Sequence, residues 1–166
     1  MRIFIVLIVV FAVVAALADK APIFSLQDTQ GNKVKLGDVL AKKGCVLIDF
    51  WELSCFSCKQ ALPKYQQIYN KYKDQGLEIL AISVDSVRTV SNVAPYVSGI
   101  GLTFPVLLDT NNDVFRNYHV EIMPTSFLID CTGEIRFTHT GYKPGDEKEI
   151  EEKIVEILKD YAGQKK

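Results

Sequence analysis

Hydrophobic and polar residues follow two periods along the chain, which predicts strands and helices separated by short turns containing Gly, Pro or Asp. Apolar runs at residues 45–51 and 77–84 are typical of strands covered on both faces, although Asp49 interrupts the first. Residues 22–36 predict two short strands around a turn at Gly31. A further strand is predicted at residues 103–109, and a hairpin at residues 125–140.

Helices are predicted where apolar residues recur at intervals of three and four. Such stripes run through residues 58–72, 87–97, 114–118 and 150–158. Strands and helices in this order predict an α/β fold with a central mixed sheet and helices on both of its faces.

Residues 1–18 differ in composition from the rest of the chain. Arg2 precedes an apolar run over residues 3–17, and Ala16-Leu17-Ala18 has the small-x-small pattern of a signal-peptidase site. The run is shorter than the about 20 residues that a membrane span needs. We therefore expect a signal peptide over residues 1–18, with a retained anchor as the alternative. A single exported domain should follow over residues 19–166, in the periplasm or at the outer face of the cytoplasmic membrane.

Charge and cysteine content narrow the class of protein. The chain has 19 basic and 20 acidic side chains and no Lys/Arg-rich arm, so we expect no nucleic-acid partner. Four cysteines are too few to build a disulfide scaffold, and the hydrophobic core must hold the fold. We expect a monomer.

Cys55 and Cys58 stand two residues apart directly after the first buried strand. A structural zinc site needs four ligands, and the other cysteines and the two histidines form no second pair. Covalent haem attachment needs His after the second cysteine, where this chain has Lys59. We therefore expect no metal and no cofactor. A redox dithiol is favoured over an inert disulfide.

The strand-to-helix junction gives the two thiols different roles. A thiolate in the first helical turn faces unpaired backbone N–H groups, which favour the anion, so Cys55 should attack a substrate disulfide. Cys58 lies one turn further in and should resolve the mixed disulfide. Asp49 is the candidate acceptor for the proton of Cys58 if it is buried. The alternative is an acid that reaches solvent at the end of the strand.

The segment LIDFWELSCFSCK resembles the signature of the thioredoxin-like superfamily, and within it the exported TlpA/ResA-type thiol:disulfide oxidoreductases with a redoxin-like domain. The segment IMPTSFLID is similar to the second signature of that superfamily. The resemblance implies a thioredoxin-like fold with an N-terminal β-hairpin extension and a central αβ insertion. It places Asp49 at the family's buried acid and makes Pro124 cis. It also implies a substrate site formed by Trp51, Met123, Pro124 and Thr125.

Three residues near the cysteines depart from the family pattern. Ser57 stands where Pro is usual, and Phe56 is large and apolar. Glu52 adds an anion that opposes the Cys55 thiolate, whereas a hydrogen bond from Ser57 would stabilise it. These residues should modulate how strongly the pair gives electrons away.

The resemblance implies a thiol:disulfide oxidoreductase that acts on protein cysteines in the cell envelope, with reduction as the favoured direction. Apocytochrome c and general envelope thiols are the candidate substrates, and a membrane protein resembling DsbD or CcdA is the candidate electron donor. One alternative is a peroxiredoxin-like thiol peroxidase, although such enzymes have Thr where this chain has Glu52. A non-catalytic binding module that uses the groove beside Pro124 is another.

Cys45 and Cys131 open and close two predicted strands. The resemblance implies that these strands are antiparallel neighbours, which puts both cysteines at the end of the sheet remote from Cys55. A structural disulfide between them would need Cα atoms within about 7 Å. The strict geometry of that bond favours the alternative of two separate buried thiols.

Overall fold

The computed structural model describes residues 19–164, so the signal-peptide prediction for residues 1–18 lies outside the described residues. Within that range, no helix is both long enough and apolar enough to cross a membrane. The strands are β1 (Ser25–Asp28), β2 (Lys33–Lys35), β3 (Cys45–Trp51), β4 (Leu77–Ser83), β5 (Val106–Leu108), β6 (Thr125–Asp130) and β7 (Ile135–Thr140). The helices are α1 (Leu36–Leu40), α2 (Phe56–Tyr72), α3 (Val93–Gly99), α4 (Asp113–Asn117) and α5 (Glu147–Gln164).

All seven strands form one mixed sheet in the order β2-β1-β5-β4-β3-β6-β7. The three strands β3, β4 and β5 are parallel neighbours, whereas β6 is antiparallel to β3 and β7 is antiparallel to β6. The predicted N-terminal hairpin is β1 and β2, which joins the sheet through β5. The mixed sheet predicted from the order of the elements is confirmed.

Helices cover both faces of this sheet, as predicted. One face packs against α2, α3 and α5, and the other packs against α1 and α4. Alternation along β3 sends Leu47 and Trp51 toward α2, and Ile48 and Phe50 toward the opposite face. Asp49 therefore points to the face that α2 covers.

Two predicted elements are shorter than their patterns indicated. The strand expected over residues 103–109 pairs only at Val106–Leu108, because Pro105 has no N–H for the ladder and the Thr103 amide bonds to the Gln66 side chain instead. The helix expected from Val87 begins later, since a turn at residues 86–89 precedes it and Val87 is exposed.

The register of β3 and β6 positions the functional site. Phe50 pairs with Thr125, so the end of β3 lies beside the beginning of β6. Because β4 runs parallel to β3, its carboxyl end reaches the same edge. The loop between β3 and α2 (residues 52–55, called the cysteine loop because it ends at Cys55) therefore meets the loop before β6 and the loop after β4 at one edge of the sheet.

Candidate active site

Cys55 and Cys58 form a disulfide at the start of α2, with Cα atoms 5.3 Å apart. Cys55 is the N-cap residue, and its Sγ accepts a hydrogen bond of 3.2 Å from the Cys58 amide. Cys55 is half-buried, whereas Cys58 is fully buried. The placement expected at the strand-to-helix junction is what the structure shows, and of the two cysteines only Cys55 has solvent-exposed surface.

The three residues that depart from the family pattern, Glu52, Phe56 and Ser57, have different environments near the start of α2. The Ser57 hydroxyl lies 3.6 Å from Cys55 Sγ, a contact that can persist as a hydrogen bond to a thiolate. The Glu52 carboxylate accepts a hydrogen bond from the Ser54 hydroxyl. Phe56 is 74% exposed, so a large apolar side chain projects beside the disulfide.

Asp49 is fully buried, which rules out the alternative of an acid that reaches solvent. Burial raises the pKa of Asp49 to about 7, against the opposing effect of a hydrogen bond from Ser126. The Ser126 hydroxyl donates to Asp49 Oδ1 at 2.7 Å. Asp49 Oδ2 has no hydrogen-bond partner among residues 19–164. A carboxyl with these properties can take and release a proton near neutral pH.

The peptide bond between Met123 and Pro124 is cis, as the resemblance implied. The Pro124 carbonyl accepts a hydrogen bond of 2.7 Å from the Gly141 amide. Met123 is partly buried and packs against the cores on both faces of the sheet. The loop before β6 is thus fixed beside the cysteine loop.

Two residues expected at the substrate site turn their side chains inward. Trp51 is fully buried, and its ring lies 5.8 Å from that of Tyr96. Thr125 is buried, and its hydroxyl donates to the Ile122 carbonyl at 2.6 Å. These side chains support the surrounding loops, whereas Ile122, which is 58% exposed, is turned outward.

Asp85 is a site residue that sequence reasoning missed. Its Oδ2 accepts hydrogen bonds from the Leu53 amide at 3.1 Å and from the Ser83 hydroxyl at 2.9 Å. It is 5% exposed, so a buried carboxylate ties the cysteine loop to the end of β4. The only signal in the sequence was an acid directly after a buried strand.

Cys45 and Cys131 lie at the opposite end of the sheet. Cys45 pairs in register with Asp130, the residue before Cys131. Cys45 is a fully buried free thiol whose pKa is raised by burial and by the Asp130 charge. The disulfide considered for these two cysteines is not formed in this structure. Among the described residues, no three His, Cys, Asp or Glu side chains are grouped closely enough to hold a metal ion.

Comparison with known sequences points to one family. A model of the AhpC/TSA family matches residues 17–138. The chain is 36% identical to the thiol-disulfide oxidoreductase ResA of Geobacillus kaustophilus over 126 aligned residues. The alignment covers 76% of this chain and 70% of the relative. It is 32% identical to ResA of Halalkalibacterium halodurans over 148 aligned residues, and that alignment covers 89% of this chain and 80% of the relative.

Solved structures give the same result. A crystal structure from Chlorobium tepidum, provisionally described as the thiol:disulfide interchange protein DsbE, is 34% identical with a TM-score of 0.78. The alignment covers 85% of this chain and 96% of that one. The thioredoxin domain of a thiol-disulfide oxidoreductase from Bacteroides vulgatus is 25% identical with a TM-score of 0.69, and covers 85% and 96% of the two chains.

Proposed function

Because the chain belongs to the AhpC/TSA family and is a thiol:disulfide oxidoreductase with a thioredoxin-like fold, we propose that Cys55 and Cys58 reduce disulfides of exported proteins. One observation carries this proposal: the half-buried Cys55 caps a helix, while Cys58 is fully buried behind it. That asymmetry suits a dithiol in which one sulfur attacks and the other resolves.

In the first step the Cys55 thiolate attacks one sulfur of a substrate disulfide. A bond forms between Cys55 Sγ and that sulfur, and the other substrate sulfur leaves with the bonding electrons as a thiolate. The Cys58 amide and the N-terminus of α2 stabilise the Cys55 anion before it attacks.

In the second step the Cys58 thiol gives its proton to Asp49 and attacks Cys55 Sγ. The Cys55–Cys58 bond forms, and the bond between Cys55 and the substrate breaks. The substrate sulfur leaves as a thiolate, so the substrate gains two electrons and the protein dithiol is oxidised. Asp49 then returns its proton to a thiolate or to solvent, ready for the next cycle.

Substrate binding is proposed to use the backbone of Met123 beside cis-Pro124, together with exposed Phe56 and Ile122. An extended segment that carries an apolar side chain next to its cysteine suits this surface. The composition of residues 1–18 supports export to the periplasm or to the outer face of the cytoplasmic membrane. Apocytochrome c is one candidate substrate there, and the donor that restores the dithiol is proposed to be a membrane protein resembling DsbD or CcdA.

The proposal predicts that Cys55→Ser abolishes reduction of insulin disulfides, measured as precipitation of the free B chain with dithiothreitol as electron source. Cys131→Ser is the matched control, since it removes a thiol at the opposite end of the sheet and should retain wild-type activity. Full activity in Cys55→Ser would overturn the proposal. Hydrogen peroxide consumption, measured in parallel, should be absent, and Cys55-dependent consumption exceeding insulin reduction would favour the peroxidase alternative.

A further inference from the structure

The buried side chains of Asp49, Ser126 and Tyr65 form a hydrogen-bonded network between the sheet and α2. The Ser126 hydroxyl on β6 donates to Asp49 on β3 at 2.7 Å, and it lies 3.0 Å from the Tyr65 hydroxyl on α2. Asp49 and Tyr65 are 0% exposed and Ser126 is 2% exposed. Burying polar groups is unfavourable unless they are hydrogen-bonded, and these three side chains meet that condition through one another.

Both hydrogen bonds of this network are directed toward Asp49. Ser126 has a single hydroxyl proton and donates it to Asp49 Oδ1, so Tyr65 must be the donor in its contact with Ser126. Burial raises the pKa of Tyr65 well above its ordinary value, so this hydroxyl keeps its proton. Hydrogen bonds aligned in this way polarise one another and stabilise negative charge at the accepting end.

The same helix carries Cys58 and Tyr65. They are seven residues apart, which is about two turns and puts both on the face of α2 that covers β3. Asp49 points to this face from β3. Its Oδ1 is occupied by Ser126, whereas Oδ2 is not bonded to any described residue.

We propose that Ser126 and Tyr65 are positioning residues that keep Asp49 ionised as the proton acceptor for Cys58. This inference rests on the proposed function and names the machinery of its second step. Ser126 fixes Oδ1 and leaves Oδ2 to take the proton. Tyr65 in turn orients Ser126. Because the Tyr65 hydroxyl donates to the Ser126 oxygen, the Ser126 proton is left to bond with Asp49 Oδ1.

Other ionisable groups lie further along the same face. The Tyr142 ring packs edge-on against Tyr65 at 6.4 Å, and the Tyr142 hydroxyl donates to Glu147. His139 pairs in register with Ser126, and its ring bonds to Asp146. On β4, the residue that pairs with Asp49 is Ala81, which is apolar. Of the groups that face Asp49, Ser126 is the hydrogen-bond donor that opposes the effect of burial.

The inference is tested by the pH dependence of the second step alone. Reduced protein is mixed with a limiting amount of 5,5′-dithiobis(2-nitrobenzoate), and release of the coloured thiolate is followed by stopped flow. The first phase reports attack by Cys55, and the second, intramolecular phase reports attack by Cys58. Ser126→Ala and Tyr65→Phe each remove one oxygen, and Tyr118→Phe removes a buried tyrosine hydroxyl on the opposite face as a matched control.

We expect Ser126→Ala to move the midpoint of the second phase upward by about 1–2 pH units, since a hydrogen bond to a charged group is lost. At pH 7 the second phase should slow roughly tenfold, and it should recover above the new midpoint. Tyr65→Phe should shift the midpoint in the same direction by less, and Tyr118→Phe should leave it unchanged. The first phase should be unaffected in all three variants.

A rate that falls equally at every pH, with an unmoved midpoint, would overturn the inference while leaving the proposed function intact. A double variant adds a second test, because Ser126→Ala should have no further effect on the second phase once Asp49→Asn has removed the acceptor. Additive effects would also overturn the inference. If the wild-type protein showed no first phase, this result would instead overturn the proposed function itself.

Discussion

Asp49 is the residue at which the chemistry and the stability of this protein conflict. A carboxyl in a fully buried position is costly when ionised, yet the proposed second step needs it ionised. Burial raises its pKa to about 7, whereas the hydrogen bond from Ser126 acts in the opposite direction. The residue is therefore expected to weaken the fold under the conditions in which it is most useful.

Asp49→Asn should accordingly stabilise the protein at pH 8 and have little effect at pH 4. The folded state holds this proton up to a pKa of about 7, whereas the ordinary value is 3.8. The free energy of unfolding contributed by Asp49 therefore falls as pH rises from about 4 to about 7, by on the order of 4 kcal/mol. Urea unfolding at both pH values measures this difference. An equal change at pH 4 and pH 8 would contradict it.

Glu52 and Ser57 should act on the Cys55 thiolate in opposite directions. Glu52→Gln removes a nearby anion, so the thiolate should form at lower pH than in the wild-type protein. Ser57→Ala removes the hydroxyl 3.6 Å from the sulfur, so the thiolate should form at higher pH. Titration of the thiolate absorbance near 240 nm in the reduced protein measures both changes. Shifts of the same sign would show that these residues act through the loop conformation instead.

At the scale of elements, the cysteine loop is held from three sides. It follows β3, it leads into α2 through the Cys55 cap, and Asp85 ties its Leu53 amide to the end of β4. The Asp85 carboxylate also accepts from Ser83. In the proposed first step Cys55 approaches a substrate in a defined orientation, so we expect this attachment to contribute to the geometry of the attack as well as to stability.

Asp85→Ala should leave the half-buried Leu53 amide and the buried Ser83 hydroxyl without their acceptor and destabilise the protein by roughly 2–4 kcal/mol. Hydrogen exchange at the Leu53 amide should become faster by a larger factor than exchange in the centre of β3. Asp38→Ala, at an exposed position in α1, is the control and should cost less than about 1 kcal/mol. Unchanged protection at Leu53 would show that Asp85 does not hold the loop.

Sequence patterns predicted the long central elements well and the peripheral ones less well. The bounds of β3 and β4 follow from nearly continuous apolar runs, because both faces of these strands are covered. The start of α3 and the length of β5 depend on a local turn and on a tertiary hydrogen bond to Gln66, and neither leaves a periodic signal.

At the scale of the whole molecule, sheet register assembles the site from residues that are distant in sequence. Asp49 and Ser126 are brought opposite each other by the pairing of β3 with β6. Periodicity alone contains no information about which strands pair, so the serine was not predicted. Cys55, Cys58 and Asp49 were predicted from their spacing and from the junction between a buried strand and a helix, whereas cis-Pro124 was predicted from the resemblance to a known family. Trp51 and Thr125 were expected to contact substrate from the same resemblance, whereas burial turns their side chains inward.

Trapping of the mixed disulfide in Cys58→Ala tests the central claim most directly. The variant is reduced, incubated with oxidised substrate protein, and the disulfide-linked adduct is digested and mapped by mass spectrometry. The proposed function predicts a stable adduct through Cys55, which wild-type protein does not accumulate because Cys58 resolves it. An adduct mapped to Cys45 or Cys131, or no adduct in the variant, would contradict the assignment of Cys55 as the attacking thiol.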